Sequence, residues 1–330
     1  MATMRGQGGG GSSRCGSSPE AIHRILFPTD FSTHATAAWP YAVGLARGHA
    51  AELHLLHVVT PPVFGVSPEG GGLAPAALVD DVLDEALAVL DRLAESARAL
   101  GVNARTHTSI GDAASEIVTC AAAEEIGLIV MATTGRTGLA HVVMGSVAER
   151  VVRHAASPVL TVRHDGARPP ALTAGPLPQF RRILAPLDGS PMAEAALPGI
   201  ADIAKRHGAE LRLLRVVRAR ALRQLDLQEA EVRLVSEAEA YLADVERRLA
   251  AEGLRISTAV RYGETAEQIL DDIAVRRPDL VAISTHGRTG LTHLVVGSIA
   301  EHVLRASSAP VLLFPARAVH ERMSAEVQAA

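Results

Sequence analysis

Short apolar runs alternate with longer amphipathic segments along most of this chain. In the first half, five apolar runs predict β-strands at about 24–29, 53–59, 103–108, 127–133 and 158–163. The segments between them predict helices near 34–48, 76–100, 112–124 and 144–154. A helical period of about 3.6 residues is clearest at Leu234, Val235, Ala238, Tyr241, Leu242, Val245 and Leu249. Uninterrupted apolar strands separated by helices are typical of a parallel sheet covered on both faces.

The same pattern occurs twice, because the chain contains an internal repeat. The segment HRILFPTDFS at 23–32 matches RRILAPLDGS at 181–190. GRTGLAHVVMGSVAE at 135–149 matches GRTGLTHLVVGSIAE at 287–301, with identical residues at eleven of fifteen positions. We therefore predict an α/β protein with two tandem, doubly wound parallel sheets of five strands each, covered by helices on both faces. The predicted ranges are a disordered Gly/Ser-rich tail at 1–20, domains at 21–164 and 180–316, a Pro-rich linker at 165–179 and a polar tail at 317–330.

The composition and net charge of the chain limit the kinds of molecule that it is expected to bind. A net charge of −4 gives no basic face for nucleic acid. No apolar run approaches the roughly 18–20 residues of a membrane-spanning helix, so no membrane partner is expected. The two cysteines, Cys15 and Cys120, are too few for a disulfide framework or a zinc site. This scarcity is consistent with a reducing compartment, and the predicted location is the cytoplasm.

Glycines concentrate where a ligand site of this fold is expected. Ligands bind open parallel sheets beyond the carboxyl ends of the strands, and there each half has a glycine-rich loop that ends in Gly-Ser before a helix. Backbone N–H groups of such a loop and of the helix N-terminus can surround phosphate. The predicted nucleotide-binding residues are Pro28, Thr29, Asp30, Val58, Met131, Ala132, Gly135, Arg136, Gly145, Ser146 and Val147 in the first half, and Pro186, Asp188, Val216, Ile283, Ser284, Gly287, Arg288, Gly297, Ser298 and Ile299 in the second.

Simpler roles remain open for several of these residues. Segments 146–149 and 298–301 have the Ser-x-x-Glu spacing of a capping box, which is mostly structural. Asp30 and Asp188 each follow a strand and suit a turn as well as a ligand contact. Arg136 and Arg288 are each compatible with a phosphate contact or with a solvated surface position.

Other familiar catalytic and binding motifs are absent from the sequence. It has no dinucleotide fingerprint, no P-loop with its lysine, no H-E-x-x-H helix and no G-x-S-x-G elbow. His141 and His293 recur in the two loops without Cys or carboxylate companions at ligand spacing. We therefore predict no metal site and assign no catalytic residue.

The repeated segments resemble the universal stress protein family. The resemblance rests on ILFPTDFS, LLHVV and the long segment GRTGLAHVVMGSVAERVVRHAASPVLTV, together with their second copies. It covers about 22–164 and 180–316, as in a tandem member of the family. It implies a strand order of 3-2-1-4-5 in each domain. It also implies pairing of the fifth strands, which could occur within one chain, while association of two chains stays open.

The resemblance further implies that ATP is the ligand, with or without Mg²⁺. The family pattern G-x-x-G, nine residues, then G-[ST] matches Gly135 and Gly145-Ser146, and again Gly287 and Gly297-Ser298. By the same resemblance, Asp30 and Asp188 would lie near the ribose or a phosphate-bound cation. Val58 and Met131, with Val216 and Ile283, would border the adenine.

This chain departs from the family pattern at a few positions. The first glycine of G-x-x-G is Ala132 in the first half and Ser284 in the second, and a Cβ there would crowd a close backbone approach. Leu187 also replaces Thr29 and Arg215 replaces His57 in the second half, so the first site is expected to be the stronger one.

The expected function is a nucleotide-binding sensor or regulator of a stress response, without a dedicated catalytic activity. A slow ATPase or phosphotransferase using the same pocket is one alternative. A nucleotide-free interaction module is another.

Overall fold

The computed structural model describes residues 22–60, 76–133, 144–164, 177–218, 227–285 and 296–315. The predicted tails and most of the predicted linker lie outside these residues. The first half contains β1 (Arg24–Pro28), α1 (Thr33–Thr36), α2 (Trp39–His49), β2 (Glu52–Val59), α3 (Ala76–Ala99), β3 (Ala104–Ile110), α4 (Ala113–Ala123), β4 (Leu128–Ala132), α5 (Ser146–His154) and β5 (Val159–Val162). The second half contains β6 (Arg182–Pro186), α6 (Pro191–Glu194), α7 (Leu197–His207), β7 (Glu210–Val217), α8 (Leu227–Ala250), β8 (Arg255–Tyr262), α9 (Thr265–Arg276), β9 (Leu280–Ser284), α10 (Ser298–Ala306) and β10 (Val311–Phe314).

The described strands form one sheet in the order β3-β2-β1-β4-β5-β10-β9-β6-β7-β8. The predicted α/β class is confirmed, and each half has the neighbour order 3-2-1-4-5. The pairing of the fifth strands that the family resemblance implied occurs within the chain, where β5 and β10 pair antiparallel and join the two five-stranded halves into one sheet. Leu160 lies opposite Leu312, and the Thr161 hydroxyl donates to the Val311 carbonyl at 3.0 Å. This pairing satisfies backbone groups that a sheet edge would otherwise leave unpaired.

Proline divides one predicted helix into two. The segment near 34–48 forms α1 and α2 rather than a single helix. Pro40 lies in the first turn of α2, where a backbone N–H is not needed. Without that N–H it cannot donate to the Thr36 carbonyl, so α1 cannot continue into α2. Pro198 occupies the corresponding position in α7.

The apolar core lies on both faces of the sheet. One face packs against α2, α3, α7 and α8, and its buried residues run through both halves. There the Phe27 and Trp39 rings meet edge to face, with centroids 5.5 Å apart. The other face packs against α4, α5, α9 and α10. In the part of the chain that the structure describes, no helix is long and apolar enough to cross a bilayer.

Candidate functional site

The predicted site residues that the structure describes lie at the carboxyl ends of the central strands. In the first half, β1, β2 and β4 run parallel, so their carboxyl ends lie at the same edge of the sheet. The Thr29 N–H donates to the Leu56 carbonyl at 2.9 Å, which extends the pairing one residue beyond Pro28. Met131 and Ala132 are buried at the end of β4, and Val58 is half-buried near the end of β2.

The aspartates after β1 and β6 form turns. Asp30 Oδ1 accepts a hydrogen bond from the Ser32 N–H at 3.0 Å. Asp188 Oδ1 accepts the equivalent bond from the Ser190 N–H at 2.9 Å. Each turn leads into a short helix, whose N-cap serine accepts a bond from the backbone three residues later. The turn role that the sequence suggested is therefore present, and it fixes each carboxylate at the edge of the sheet.

The helices α5 and α10 begin one residue earlier than a capping box at 146–149 or 298–301 requires. Gly145 and Gly297 are the N-caps, and neither helix has a side-chain cap bond among the described residues. The predicted capping boxes at 146–149 and 298–301 are therefore wrong. Glu149 and Glu301 instead accept hydrogen bonds from Arg153 at 2.7 Å and Arg305 at 2.6 Å.

A close backbone approach explains why glycine occupies the N-cap. The Gly145 N–H donates to the Thr133 carbonyl at 2.6 Å, and the Gly297 N–H donates to the Thr285 carbonyl at 2.7 Å. A Cβ at Gly297 would lie only 3.0 Å from the Thr285 carbonyl oxygen. These contacts hold the start of each helix against the end of β4 or β9. We did not predict Thr133 and Thr285, although a threonine follows the strand in both copies.

This arrangement suits an anion. The first N–H groups of a helix have no partner within it, and they make its N-terminus partly positive. In α5 and α10 no described side chain caps them. A negative charge at an exposed helix N-terminus gains about 0.3–1 kcal/mol, and up to about 2 kcal/mol where it is partly buried.

The two halves differ beside the turn that follows the first strand. In the first half, Phe31 adopts φ = 63° and its ring stacks on His57, with centroids 4.2 Å apart. His57 Nδ1 lies 2.8 Å from the Thr29 carbonyl oxygen, so this nitrogen carries the hydrogen. In the second half, Gly189 takes the left-handed conformation with φ = 74°.

Arg215 replaces the His57 ring in the second half. Its guanidinium carbon lies 4.9 Å from the centroid of the Tyr241 ring. Burial raises the pKa of the Tyr241 hydroxyl well above its usual value, with Glu194 adding to the effect. The second site therefore has a fixed positive charge where the first has a hydrogen-bonded imidazole.

Four of the predicted residues fall in the glycine-rich loops and lie outside the described residues: Gly135, Arg136, Gly287 and Arg288. The structure brings the others together in two clusters, one in each half. These clusters comprise Pro28, Thr29, Asp30, Val58, Met131, Ala132, Gly145, Ser146 and Val147, and Pro186, Asp188, Val216, Ile283, Ser284, Gly297, Ser298 and Ile299.

Comparison with known proteins identifies the family. The model of the universal stress protein family matches residues 21–163 and again 179–315. A universal stress protein of Mycobacterium tuberculosis is 28% identical over 316 residues, which span 90% of this chain and 98% of that protein. A shorter one from Methanocaldococcus jannaschii is 38% identical over 141 residues, 42% of this chain and 81% of that protein. The chain belongs to the universal stress protein family.

Solved structures support the same fold. A universal stress protein from Archaeoglobus fulgidus superimposes with a TM-score of 0.69 at 21% identity, covering 89% of this chain and 99% of that one. A structure of a universal stress protein from Pseudomonas aeruginosa gives a TM-score of 0.64 at 22% identity, with 93% and 99% coverage. At these identities the likeness establishes the fold.

Proposed function

We propose that this chain binds adenine nucleotide, with ATP as the preferred ligand, and acts as a sensor or regulator in a stress response in the cytoplasm. One observation carries the proposal. In each half, a helix N-terminus without a described side-chain cap adjoins the strand end that lies beside a turn-forming aspartate. Because this geometry recurs in both halves, it favours a ligand site over an incidental loop shape.

The chemistry of the edge suits the parts of a nucleotide. Phosphate would lie at the first turn of α5 or α10, where backbone donors and the helix dipole favour negative charge. The apolar Val58 and Met131 would contact the base. Asp30 would face the ribose hydroxyls or a Mg²⁺ ion held by the phosphates, because carboxylate oxygen suits both.

Membership of the family supports the regulatory part of the proposal. No catalytic step is proposed, because Asp30 already accepts a hydrogen bond within its turn and is better suited to positioning than to activating water.

Calorimetric titration of the full chain with ATP and Mg²⁺ tests the proposal. We expect saturable binding with one or two nucleotides per chain, and tighter binding at the first site. Asp30→Asn and Asp188→Asn should each weaken one site. Asp244→Asn, on the exposed surface of α8, should change neither. Absence of binding at millimolar ATP, with circular dichroism showing an intact fold, rules the proposal out.

The same preparation separates the alternatives. Phosphate release that Asp30→Ala abolishes while ATP binding persists would make the chain an enzyme. Denaturation followed by mass spectrometry would detect adenine nucleotide that copurifies with the chain. If neither copurified nor added nucleotide binds, the interaction module becomes the better description.

A further inference from the structure

A second polar cluster lies inside the first half, away from the nucleotide edge. It consists of His54 on β2, His107 on β3 and Glu124 at the end of α4. Each side chain offers one possible metal-ligand atom, and these three atoms lie within 4.8 Å of one another. His54 Nδ1 is 3.0 Å from His107 Nε2 and 3.9 Å from Glu124 Oε2. His54 precedes Val58 by four residues, or about 13 Å along the strand.

His54 is positioned as a metal-binding histidine would be. Its side chain is completely buried, and its Nδ1 lies within hydrogen-bonding distance of His107 Nε2. Two imidazole nitrogens that face each other in this way can both bind one metal ion in place of that hydrogen bond. On the opposite side of the ring, Nε2 lies 3.3 Å from Glu52 Oε2. A carboxylate in that position commonly orients a metal-binding histidine.

The carboxylate of Glu124 adds negative charge to the cluster. No arginine or lysine in the described ranges forms an ion pair with it, whereas Glu52 pairs with Arg105 at 2.9 Å. Two imidazole nitrogens and one carboxylate oxygen form a ligand set that zinc uses in three-ligand sites with an open fourth position.

In the second half, the corresponding region holds an ion pair instead of a set of metal ligands. There Arg212 occupies the position of His54 and Ala259 that of His107. The Arg212 guanidinium donates to both oxygens of the buried Asp272, at 2.9 and 3.1 Å. The charges of Arg212 and Asp272 offset each other, and a guanidinium has no nitrogen lone pair that could bind a metal ion. At these described positions the second half therefore lacks the metal-ligand set.

We propose that His54, His107 and Glu124 bind one divalent transition-metal ion, with Zn²⁺ as the best fit, and that Glu52 positions His54. Tetrahedral zinc with bonds of about 2.0–2.1 Å holds its ligand atoms about 3.3 Å apart. The two separations from His54 Nδ1, 3.0 and 3.9 Å, differ from that value by about 0.3 and 0.6 Å, and all three donor atoms lie within 4.8 Å of one another. Mg²⁺ fits poorly, because it prefers an all-oxygen shell.

Zinc titration of the full chain after chelator treatment tests this proposal, with a chromophoric chelator as competitor. We expect one tight Zn²⁺ per chain, unaffected by millimolar Mg²⁺. His107→Gln and Glu124→Gln, at half-buried positions, should each weaken binding by about 100-fold or more, and Glu52→Gln by about 10-fold. The control His154→Gln, at an exposed position on α5, should leave the affinity unchanged. Circular dichroism checks that each variant is folded.

Cobalt gives a spectroscopic readout that is independent of affinity. Co²⁺ in the site should show the intense visible absorption of low-coordinate cobalt, and His107→Gln should abolish it. The proposal is overturned if zinc does not bind at micromolar concentration, or if its affinity is the same in His107→Gln and Glu124→Gln as in the unmodified chain. Displacement of zinc by Mg²⁺ would also overturn it. ATP binding plays no part in either measurement, so this proposal and the proposed function can fail separately.

Discussion

At the scale of single residues, the two N-cap glycines determine how the candidate phosphate site is built. Gly145 and Gly297 bring a helix start to within hydrogen-bonding distance of the preceding strand end, at 2.6 and 2.7 Å. A serine at the N-cap would supply its own acceptor to the first turn of the helix. With glycine there, no side chain of the N-cap competes with a ligand for those donors.

Replacing Gly297 with alanine should therefore cost both stability and nucleotide binding. The new Cβ would lie 3.0 Å from the Thr285 carbonyl oxygen, a backbone atom with little room to move. We expect a loss of about 1–2 kcal/mol in the free energy of unfolding, measured by urea denaturation. Binding at the second site should weaken in the same variant.

Gly48→Ala is the matched control for this substitution. Gly48 lies near the end of α2, and its added Cβ would meet only His207 Nε2, at an ordinary 3.7 Å. Alanine is favoured over glycine within a helix, so this variant should gain about 0.5–1 kcal/mol. Equal effects of the two substitutions would contradict the close-approach argument.

At the scale of elements, α5 and α10 present their N-termini to the edge where a nucleotide is proposed. An aspartate introduced at the first helical position, Ser146 or Ser298, would interact favourably with the helix dipole. It also places a negative charge where phosphate is expected. Stability and ligand affinity should therefore respond in opposite directions to one substitution.

Ser146→Asp should stabilise α5 by about 0.3–1 kcal/mol. The same change should weaken ATP binding at the first site by about 10- to 100-fold, because unit charges 5 Å apart repel by about 3 kcal/mol at an effective dielectric constant of about 20. Thermal unfolding and calorimetry measure the two effects. Ser146→Ala controls for loss of the hydroxyl, and Ser298→Asp should act only on the second site. Unchanged ATP affinity in Ser146→Asp would mean that phosphate does not bind at α5.

The sequence predicts most elements because each carries a local pattern. Apolar runs identify β1 to β5 to within about two residues, and the repeat extends the assignment to the second half. Finer features depend on contacts between distant residues. The capping boxes fail because the start of α5 is set by the Gly145 bond to Thr133. The cluster of His54, His107 and Glu124 has no local pattern, since its members come from three separate elements.

At the scale of the whole molecule, the halves meet through helices as well as through β5 and β10. Helix α2 contacts α7, and beside this contact the Tyr41 and Phe180 rings stack with centroids 6.2 Å apart. The His49 side chain is completely buried at this junction, and its Nδ1 lies 3.3 Å from Asp202 Oδ2. Phe180 also meets the His207 ring edge to face, at 4.9 Å. The junction therefore holds two imidazoles in a largely apolar setting.

Burial makes this junction sensitive to acid. It lowers the pKa of His49 to about 4, an effect that Arg206 and His207 reinforce and Asp202 opposes. Burial lowers the pKa of His207 as well. In the unfolded chain a histidine has a pKa near 6.5. Below pH 6.5, His49 therefore binds a proton in the unfolded chain but stays neutral in the folded chain until the pH approaches 4. Acid therefore favours unfolding.

The folded chain should accordingly lose stability as the pH falls from about 6.5 to about 4. By linkage, His49 alone accounts for a loss of about 2 kcal/mol at pH 5 relative to pH 7. His49→Gln removes the titrating group but keeps a polar side chain, so urea unfolding of this variant should fall less steeply between the two pH values. His154→Gln, on the exposed surface of α5, should follow the unmodified chain. An identical fall in His49→Gln and the unmodified chain would show that the junction of α2 and α7 does not govern the response to acid, and that the loss arises at other buried groups such as His207 or His54.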